Sequence, residues 1–314
     1  MKLQTHIKLK KQEHSLIDYN AKLLLFGSCF SENIGNKFEY FKFQSISNPF
    51  GILFHPKAIE NLVLRAIQQK EYVESDVFFH NEQWHCFDAH SQHSNVSKEK
   101  ILSDLNTQIQ LTNQQILEST HIIITLGTSW VYKLVESDKI VANCHKVPQK
   151  EFSKILLSIE EIKQSLQSII EAIQSVNKNA SIVFTVSPVR HIKDGFVENT
   201  LSKSHLISAI HQVTNSQVSY FPSFEIMLDE LRDYRFYKRD MLHPNETAVE
   251  YIWQKFQHVW IASDALKAMG DVDVVQKGLK HKPFNENSEA HQKFLQQLEK
   301  KKLKIQSTIK YLKF

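Results

Sequence analysis

Leu23-Leu24-Leu25-Phe26-Gly27-Ser28-Cys29-Phe30-Ser31-Glu32-Asn33-Ile34-Gly35 sets the architecture of this chain. The unbroken apolar run reads as a strand buried on both faces, the pattern of a parallel sheet covered by helices. It stops at a glycine, then a hydroxyl and a thiol, and a helical pattern follows. The two nucleophile-capable side chains therefore fall at the carboxyl end of a strand, beside the positive end of a helix. Open α/β sheets bind their ligands there. Far downstream, Asp240-Met241-Leu242-His243-Pro244-Asn245 supplies a matching part. A histidine three residues after an aspartate reads as a general base with its orienting carboxylate. Pro244 and Asn245 also read as the start of the next helix.

Further strands are expected at Phe41–Ile46, His121–Leu126, Ser181–Val186 and Val218–Phe221. Helical spacing runs through Pro56–Gln69, Lys98–Glu118, Ser158–Val176, Leu201–Val213, Phe224–Arg232 and Glu246–Trp260. Val131–Val135 and Lys139–Ala142 flank Glu136-Ser137-Asp138 and predict a hairpin. Tyr72–Ser97, rich in histidine and aromatic residues, reads as an irregular loop, and Gln292–Tyr311 as a lysine-rich amphipathic helix. Short strands alternating with helices predict a doubly wound parallel sheet. We place this α/β domain at residues 1–262 and a helical C-terminal extension at 263–314.

Composition narrows the function classes. With 42% hydrophobic and 23% charged residues the chain is ordinary for a globular protein. No apolar run approaches the ~18 residues of a membrane helix, and Met1–Asn20 lacks the apolar core of a secretory signal. A cytoplasmic location with no membrane partner is the expectation. The three cysteines, Cys29, Cys86 and Cys144, do not form a disulfide framework. Lys277–Phe314 carries ten lysines against three glutamates, so the rest of a chain with net charge +4 is acidic. The basic surplus sits on the tail, away from the domain that would recognise a ligand, and nucleic acid is not expected as a partner. Glycine occurs only seven times, and Gly27, Gly51 and Gly127 all lie at or near the ends of strand-like runs.

Gly27-Ser28-Cys29-Phe30-Ser31 resembles the signature of the GSCFA family, with Ser31 where that signature has alanine. Asn48-Pro49-Phe50-Gly51, Leu126-Gly127-Thr128-Ser129-Trp130-Val131-Tyr132, Asn143-Cys144-His145-Lys146 and Ser187-Pro188-Val189-Arg190-His191 are similar to further family blocks. So are Asp233-Tyr234-Arg235-Phe236-Tyr237, the block at 240–245, and Pro283–His291. The resemblance covers most of the chain. It implies a relation to the SGNH (GDSL-like) hydrolases, a flavodoxin-like sheet, and a serine-type acyl-transfer site of an esterase or O-acyltransferase. A small-molecule or carbohydrate ester would be the substrate, with no cofactor.

Laid without a gap on the SGNH pattern Gly-Asp-Ser, the nucleophile falls on Cys29. A shift of one residue places it on Ser28. A helix N-terminus and a nearby imidazolium are expected to lower the Cys29 pKa. His243 is the expected base and Asp240 its carboxylate. The oxyanion donors are expected from the nucleophile turn, from Gly51, and from Gly127-Thr128-Ser129, where Ser129 stands in place of the SGNH asparagine. Asn143 or His145 would substitute from a neighbouring loop. Arg190 reads as a carboxylate or phosphate contact, or as a partner of Asp233 or Asp240. Asp88-Ala89-His90-Ser91 matches a family segment and makes His90 a candidate substrate contact.

Two rivals remain. A non-catalytic module binding an acyl or carbohydrate ligand fits the replacement by Ser129. A zinc site would draw on His80, His85, Cys86, Asp88, His90 and His93, although no metal-binding spacing is present. No metal is expected, and oligomeric state is left open.

Overall fold

Side chains alternate across a strand, and in the computed structural model, which describes residues 5–314, that alternation accounts for both layers of the protein. Residues 1–4 of the N-terminal stretch read as lacking a signal lie outside the described residues. In chain order the strands are β1 (Lys22–Gly27), β2 (Gln44–Ser47), β3 (Phe78–His80), β4 (Gln83–His85), β5 (His121–Leu126), β6 (Trp130–Leu134), β7 (Ile140–Val141), β8 (Phe152–Leu156), β9 (Ser181–Val186) and β10 (Val218–Phe221). The helices are α1 (Cys29–Tyr40), α2 (Pro56–Ile67), α3 (Lys98–Glu118), α4 (Ile159–Val176), α5 (Phe196–Val213), α6 (Ser223–Glu225), α7 (Glu246–Trp260), α8 (Ser263–Lys280) and α9 (Glu289–Thr308).

Five strands form one parallel sheet in the spatial order β10-β9-β5-β1-β2. Numbered among themselves, these strands run 2-1-3-4-5, the flavodoxin order. The winding direction reverses between β1 and β5, the switch point beside which open α/β sheets bind their ligands. Leu24, Phe26, Ile122, Ile124, Ile182 and Phe184 face one way, onto the buried stripes of α2, α3, α4 and α5. Leu23, Leu25, Ile123 and Val183 face the other, onto Phe30, Ile34 and Phe38 of α1 and Ile252, Trp253 and Phe256 of α7.

Caps fix several helix starts. Ser158 and Glu161 close a capping box at α4, Pro56 occupies the first turn of α2, and the Asn245 side chain accepts from Ala248 N at α7.

The expected strand at Phe41–Ile46 starts later, at Gln44. Lys42 turns through φ +63°, and Phe43 N donates to Phe38 O, so those residues close α1 first. The Tyr72–Ser97 segment is more ordered than expected, because β3 and β4 pair antiparallel within it. The expected hairpin of β6 and β7 gains a third strand, β8, along its other edge. α5 begins at Phe196, directly after Gly195 at φ +115°. The helix expected over Phe224–Arg232 is a single α turn followed by a π turn, Ile226–Glu230. α8 lies within the helical extension expected at 263–314, although the sequence reading gives it no bounds of its own. It buries Ala265, Met269, Val272 and Val275 against the α1–α7 layer, and Asp273 accepts from the Tyr40 hydroxyl at 2.9 Å. Gly278 lets α9 approach, since a Cβ there would lie 2.5 Å from Leu298. The basic tail is therefore packed on the domain, with its lysine-rich face outward. No helix among the described residues is long and apolar enough to cross a membrane.

Candidate functional site at the sheet switch point

The turn after β1 is closed by backbone geometry that only glycine tolerates. Gly27 sits at φ +128°, and a Cβ there would lie 2.0 Å from Thr125 O. Its N–H donates to Asn48 Oδ1 (2.8 Å), and Leu53 N donates to Gly27 O (3.0 Å). Ser28 N donates to Thr125 O (3.0 Å), which locks the turn onto the end of β5. Ser28 is fully buried and acts as the N-cap of α1, accepting from Phe30 N at 3.3 Å. Cys29, the first helical residue, is partly exposed.

The Cys29 thiol is pushed up, not down as the sequence predicts. Burial dominates and the Glu32 carboxylate adds to it, outweighing the opposing pull of Lys203 and of the N–H groups of Cys29 and Phe30. The helix terminus does act, but partial burial of the thiol outweighs it.

The loop after β2 supplies Asn48 and Gly51. Gly51 (φ +75°) donates its N–H to Asn48 O at 2.7 Å, and a Cβ there would lie 2.4 Å from the Cβ of His90. His90 thus packs on this loop, its own N–H donating to Phe50 O (3.0 Å). Asn48 Nδ2 is buried with no hydrogen-bond partner. It is an orphaned donor at the edge of the nucleophile turn, because Oδ1 of the same amide is fixed on Gly27.

After β5, Gly127 N and Thr128 N both donate to Phe54 O (2.7 and 3.1 Å). Ser129 is fully buried. Its N–H donates to Ser202 Oγ (2.8 Å), and its hydroxyl is held by Ser202 O and Oγ (3.1 Å each). The hydroxyl in the SGNH asparagine position is therefore bound to α5. Asn143 accepts from His145 N (2.9 Å) in its own turn, and His145 Nε2 is bonded to Cys86 O (2.7 Å).

The fourth loop, after β9, brings Arg190 and His191. The Arg190 guanidinium stacks over Tyr237 at 4.2 Å and Tyr234 at 5.1 Å. Asp233 pairs with Arg235 and Asp240 with His243, so neither carboxylate takes Arg190. Arg190 N donates to Leu242 O (3.2 Å), joining this loop to the one that carries His243. His191 Nε2 is buried without a partner, and a Cβ on Gly127 would come within 3.3 Å of it. Burial, Lys203 and His243, in that order, push its pKa down to about 3, so the ring is neutral.

The last loop holds the Asp–His pair. His243 Nδ1 lies 2.7 Å from Asp240 Oδ2, and Asp240 Oδ1 accepts from Leu242 N (2.9 Å) and His243 N (3.0 Å). Those N–H groups, with the ring, hold the Asp240 carboxyl down to about 2. With Asp240 accepting at Nδ1, a neutral ring presents Nε2 as an acceptor. Capping of α7 falls to Asn245 and leaves the His243 ring out of the helix start.

Backbone hydrogen bonds tie these loops in pairs: Ser28 N to Thr125 O, Gly127 N to Phe54 O, and Arg190 N to Leu242 O. A groove of about 260 Å³ lies beside the Asp240–His243 pair, lined by Asn33 and Asn36 of α1 and by Lys238, Pro244 and Val249; neither Cys29 nor His243 is among its lining residues. Among the described residues, Cys29 and His243 share no direct hydrogen bond. Instead, Lys203 acts on Cys29 and on His191, and His191 is acted on by His243.

Lys203 is the residue that sequence reasoning missed. It is 1% exposed, and its Nζ donates to Gly127 O (2.6 Å) and Ser187 O (2.9 Å). The signal was its place on the stripe Asn199, Ser202, Lys203, Leu206, Ile210, which has helical spacing.

Within the histidine-rich segment the ring nitrogens differ: His80 Nε2 is buried with no hydrogen-bond partner, whereas both nitrogens of His85 are engaged. His85 bonds Ser94 Oγ (2.6 Å) and His80 O (2.9 Å), and burial pushes the Cys86 thiol up to about 12. No group of three or more His, Cys, Asp or Glu among the described residues is arranged to hold a metal ion.

A doubly wound α/β domain in the flavodoxin order, with a glycine-closed turn at its switch point and an Asp–His pair on its last loop, defines the class. The chain belongs to the GSCFA family, matching it over residues 22–256, and matches the GSCFA C-terminal domain over residues 272–314. No curated protein matches the sequence. Among solved structures, the chain is similar to a carbohydrate esterase family 3 protein of Talaromyces cellulolyticus. There the identity is 9% and the TM-score 0.37, over 80% of this chain and 99% of that one. It is also similar to an acetyl xylan esterase of the rumen bacterium Butyrivibrio proteoclasticus. Identity is 11% and TM-score 0.36, over 83% of this chain and 64% of that one. Superpositions this loose do not extend an activity to this chain.

Proposed function

We propose that the protein is an acyl-transfer enzyme, an esterase or O-acyltransferase, with Cys29 as nucleophile, His243 as base and Asp240 as the group that orients it. The observation that carries this is the Asp240–His243 pair, whose ring is fixed by the carboxylate at 2.7 Å on the loop that precedes α7. The Sγ proton passes to His243 Nε2, the thiolate attacks the ester carbonyl carbon, and the C–O bond breaks as His243 returns the proton to the leaving alcohol. Water or an acceptor hydroxyl then takes the acyl group. Cys29 is favoured over Ser28 because Ser28 is buried and engaged as a cap, whereas the sulfur is partly exposed.

The Cys29 N–H and Asn48 Nδ2 are the donors we assign to the oxyanion. Gly51 and Gly127 shape the loops, with their N–H groups engaged at Asn48 and Phe54. Ser129 and Arg190 anchor the neighbouring segments, and His90 borders the site. A small-molecule or carbohydrate ester is the substrate class this reading implies. Residues 1–262 form the acting unit in this proposal and 263–314 a helical extension.

Initial rates on a p-nitrophenyl ester test it, comparing wild type with Cys29→Ala, Ser28→Ala and His243→Ala. Loss in Cys29→Ala and His243→Ala supports it. Equal rates in all four would overturn it in favour of a ligand-binding module, the reading that the engaged Ser129 hydroxyl fits. Loss in Ser28→Ala with activity kept in Cys29→Ala would move the nucleophile.

A further inference from the structure

One buried charge is left unused by the reaction above. Lys203 projects from α5, and its amine joins the exits of two neighbouring strands, Gly127 O after β5 and Ser187 O after β9. The β1 exit abuts the same point, because Ser28 N is bonded to Thr125 O, two residues before Gly127. No carboxylate pairs with the amine among the described residues. Lys203 is 1% exposed, and its ammonium, with no carboxylate beside it, is held by two carbonyl hydrogen bonds that offset only part of the cost of burying a charge.

We propose that Lys203 is a positioning residue for the nucleophile: it ties the β5 and β9 exits together and supplies the positive charge that stabilises the Cys29 thiolate. This rests on the assignment of Cys29 as the attacking group. No proton is exchanged with Lys203. The thiol proton goes to His243, and the ammonium keeps its two carbonyl bonds while facing the new negative charge.

The surrounding charges agree with this. Cys29 is acted on by Glu32 from its own helix and by Lys203 from α5, with opposite signs. Lys203 is in turn acted on by Cys29 and otherwise sits among neutral groups: the His191 ring, the Phe224 ring 5.7 Å away, and the two carbonyls. His243, paired with Asp240, lies beyond His191. Burial holds the free amine near neutrality, with a pKa pushed down to about 7, and a thiolate alongside pulls it back toward the charged form.

The test is the rate of Cys29 alkylation by iodoacetamide as a function of pH, read by peptide mass mapping so that Cys86 and Cys144 are scored separately. Lys203→Gln removes the charge and keeps an N–H group that can donate to the carbonyls, on a side chain one bond shorter. It should slow alkylation near neutral pH about tenfold, the thiolate loss from a shift of about one pKa unit. Lys203→Arg should retain most of the rate, and Glu32→Gln should raise it. A Lys203→Gln profile superimposable on wild type would overturn the proposal. Should that variant not fold, an unchanged profile in Glu32→Gln would overturn it instead, because the sulfur would then not sense the charges around its turn. Alkylation needs no ester, so the two assignments fail separately. A shifted profile without ester turnover sinks the enzyme and keeps the Lys203 field.

Discussion

His243 Nδ1 lies 2.7 Å from Oδ2 of Asp240, and the other oxygen of that carboxylate is fixed by the backbone N–H groups of Leu242 and His243. The ring is thereby held in one tautomer with Nε2 outward. Asp240→Asn puts an amide where the carboxylate accepts and should lower kcat on an ester substrate by about 10²–10⁴-fold. Because the Asp240 carboxyl is held down to about 2, it stays ionised across the working range. The acid limb of a wild-type pH–rate profile should therefore reflect another group. An Asp240→Asn enzyme with wild-type kcat contradicts this role.

Gly27 and Gly270 make a matched pair. At Gly27 a Cβ would strike Thr125 O in a backbone conformation that disfavours any side chain. Gly27→Ala should lose about 2 kcal/mol or more in urea unfolding. At Gly270, inside α8, a Cβ meets nothing within 4 Å. Gly270→Ala should gain about 0.5–1 kcal/mol. Similar effects at both sites would contradict the geometry of the turn.

The frame of the sheet was legible because its signal is local. Ile122–Ile124 and Ile182–Phe184 are apolar at successive positions, as burial on both faces requires. The two ends of the site were legible too, since a glycine-hydroxyl-thiol turn and an Asp-x-x-His loop carry their chemistry in a few adjacent residues. What joins those ends was not. Lys203 resembles any helix lysine until β5 and β9 lie side by side and the carbonyls just past their ends, Gly127 O and Ser187 O, accept from it. Ser129 aligned with an SGNH donor, but only the packing of α5 shows Ser202 holding its hydroxyl. The upward shift of the Cys29 thiol depends on burial, which a sequence window does not record.

Two buried histidines and a half-buried one whose Nε2 is buried give the protein an acid limit. Burial pushes His55 and His145 down to about 4 and His191 to about 3, against about 6.5 in an unfolded chain. Folded pKa values lie below unfolded ones, so the unfolded state binds more protons as the pH falls. The stability these rings contribute is complete above about pH 6.5 and is lost progressively toward pH 4 and below. Thermal melts should show Tm falling across that window, above the range where ordinary carboxylates titrate. A Tm unchanged between about pH 7 and about pH 4.5 would contradict the burial of these rings.

Ser28 and Cys29 are separated by structural role. Ser28→Ala removes a helix cap and should cost about 1 kcal/mol of stability while leaving ester turnover within a few-fold of wild type. Chemical denaturation and initial rates, measured on one preparation, check both halves of this expectation.

The most direct test of the account is to find where the acyl group goes. The protein is mixed with p-nitrophenyl acetate, quenched in acid within the first turnover, and mapped by peptide mass spectrometry. An acetyl group on Cys29 in the wild type, absent from His243→Ala, is the predicted result. An acetyl group on Ser28, or none on the peptide that carries both residues while the ester is still consumed, would contradict it.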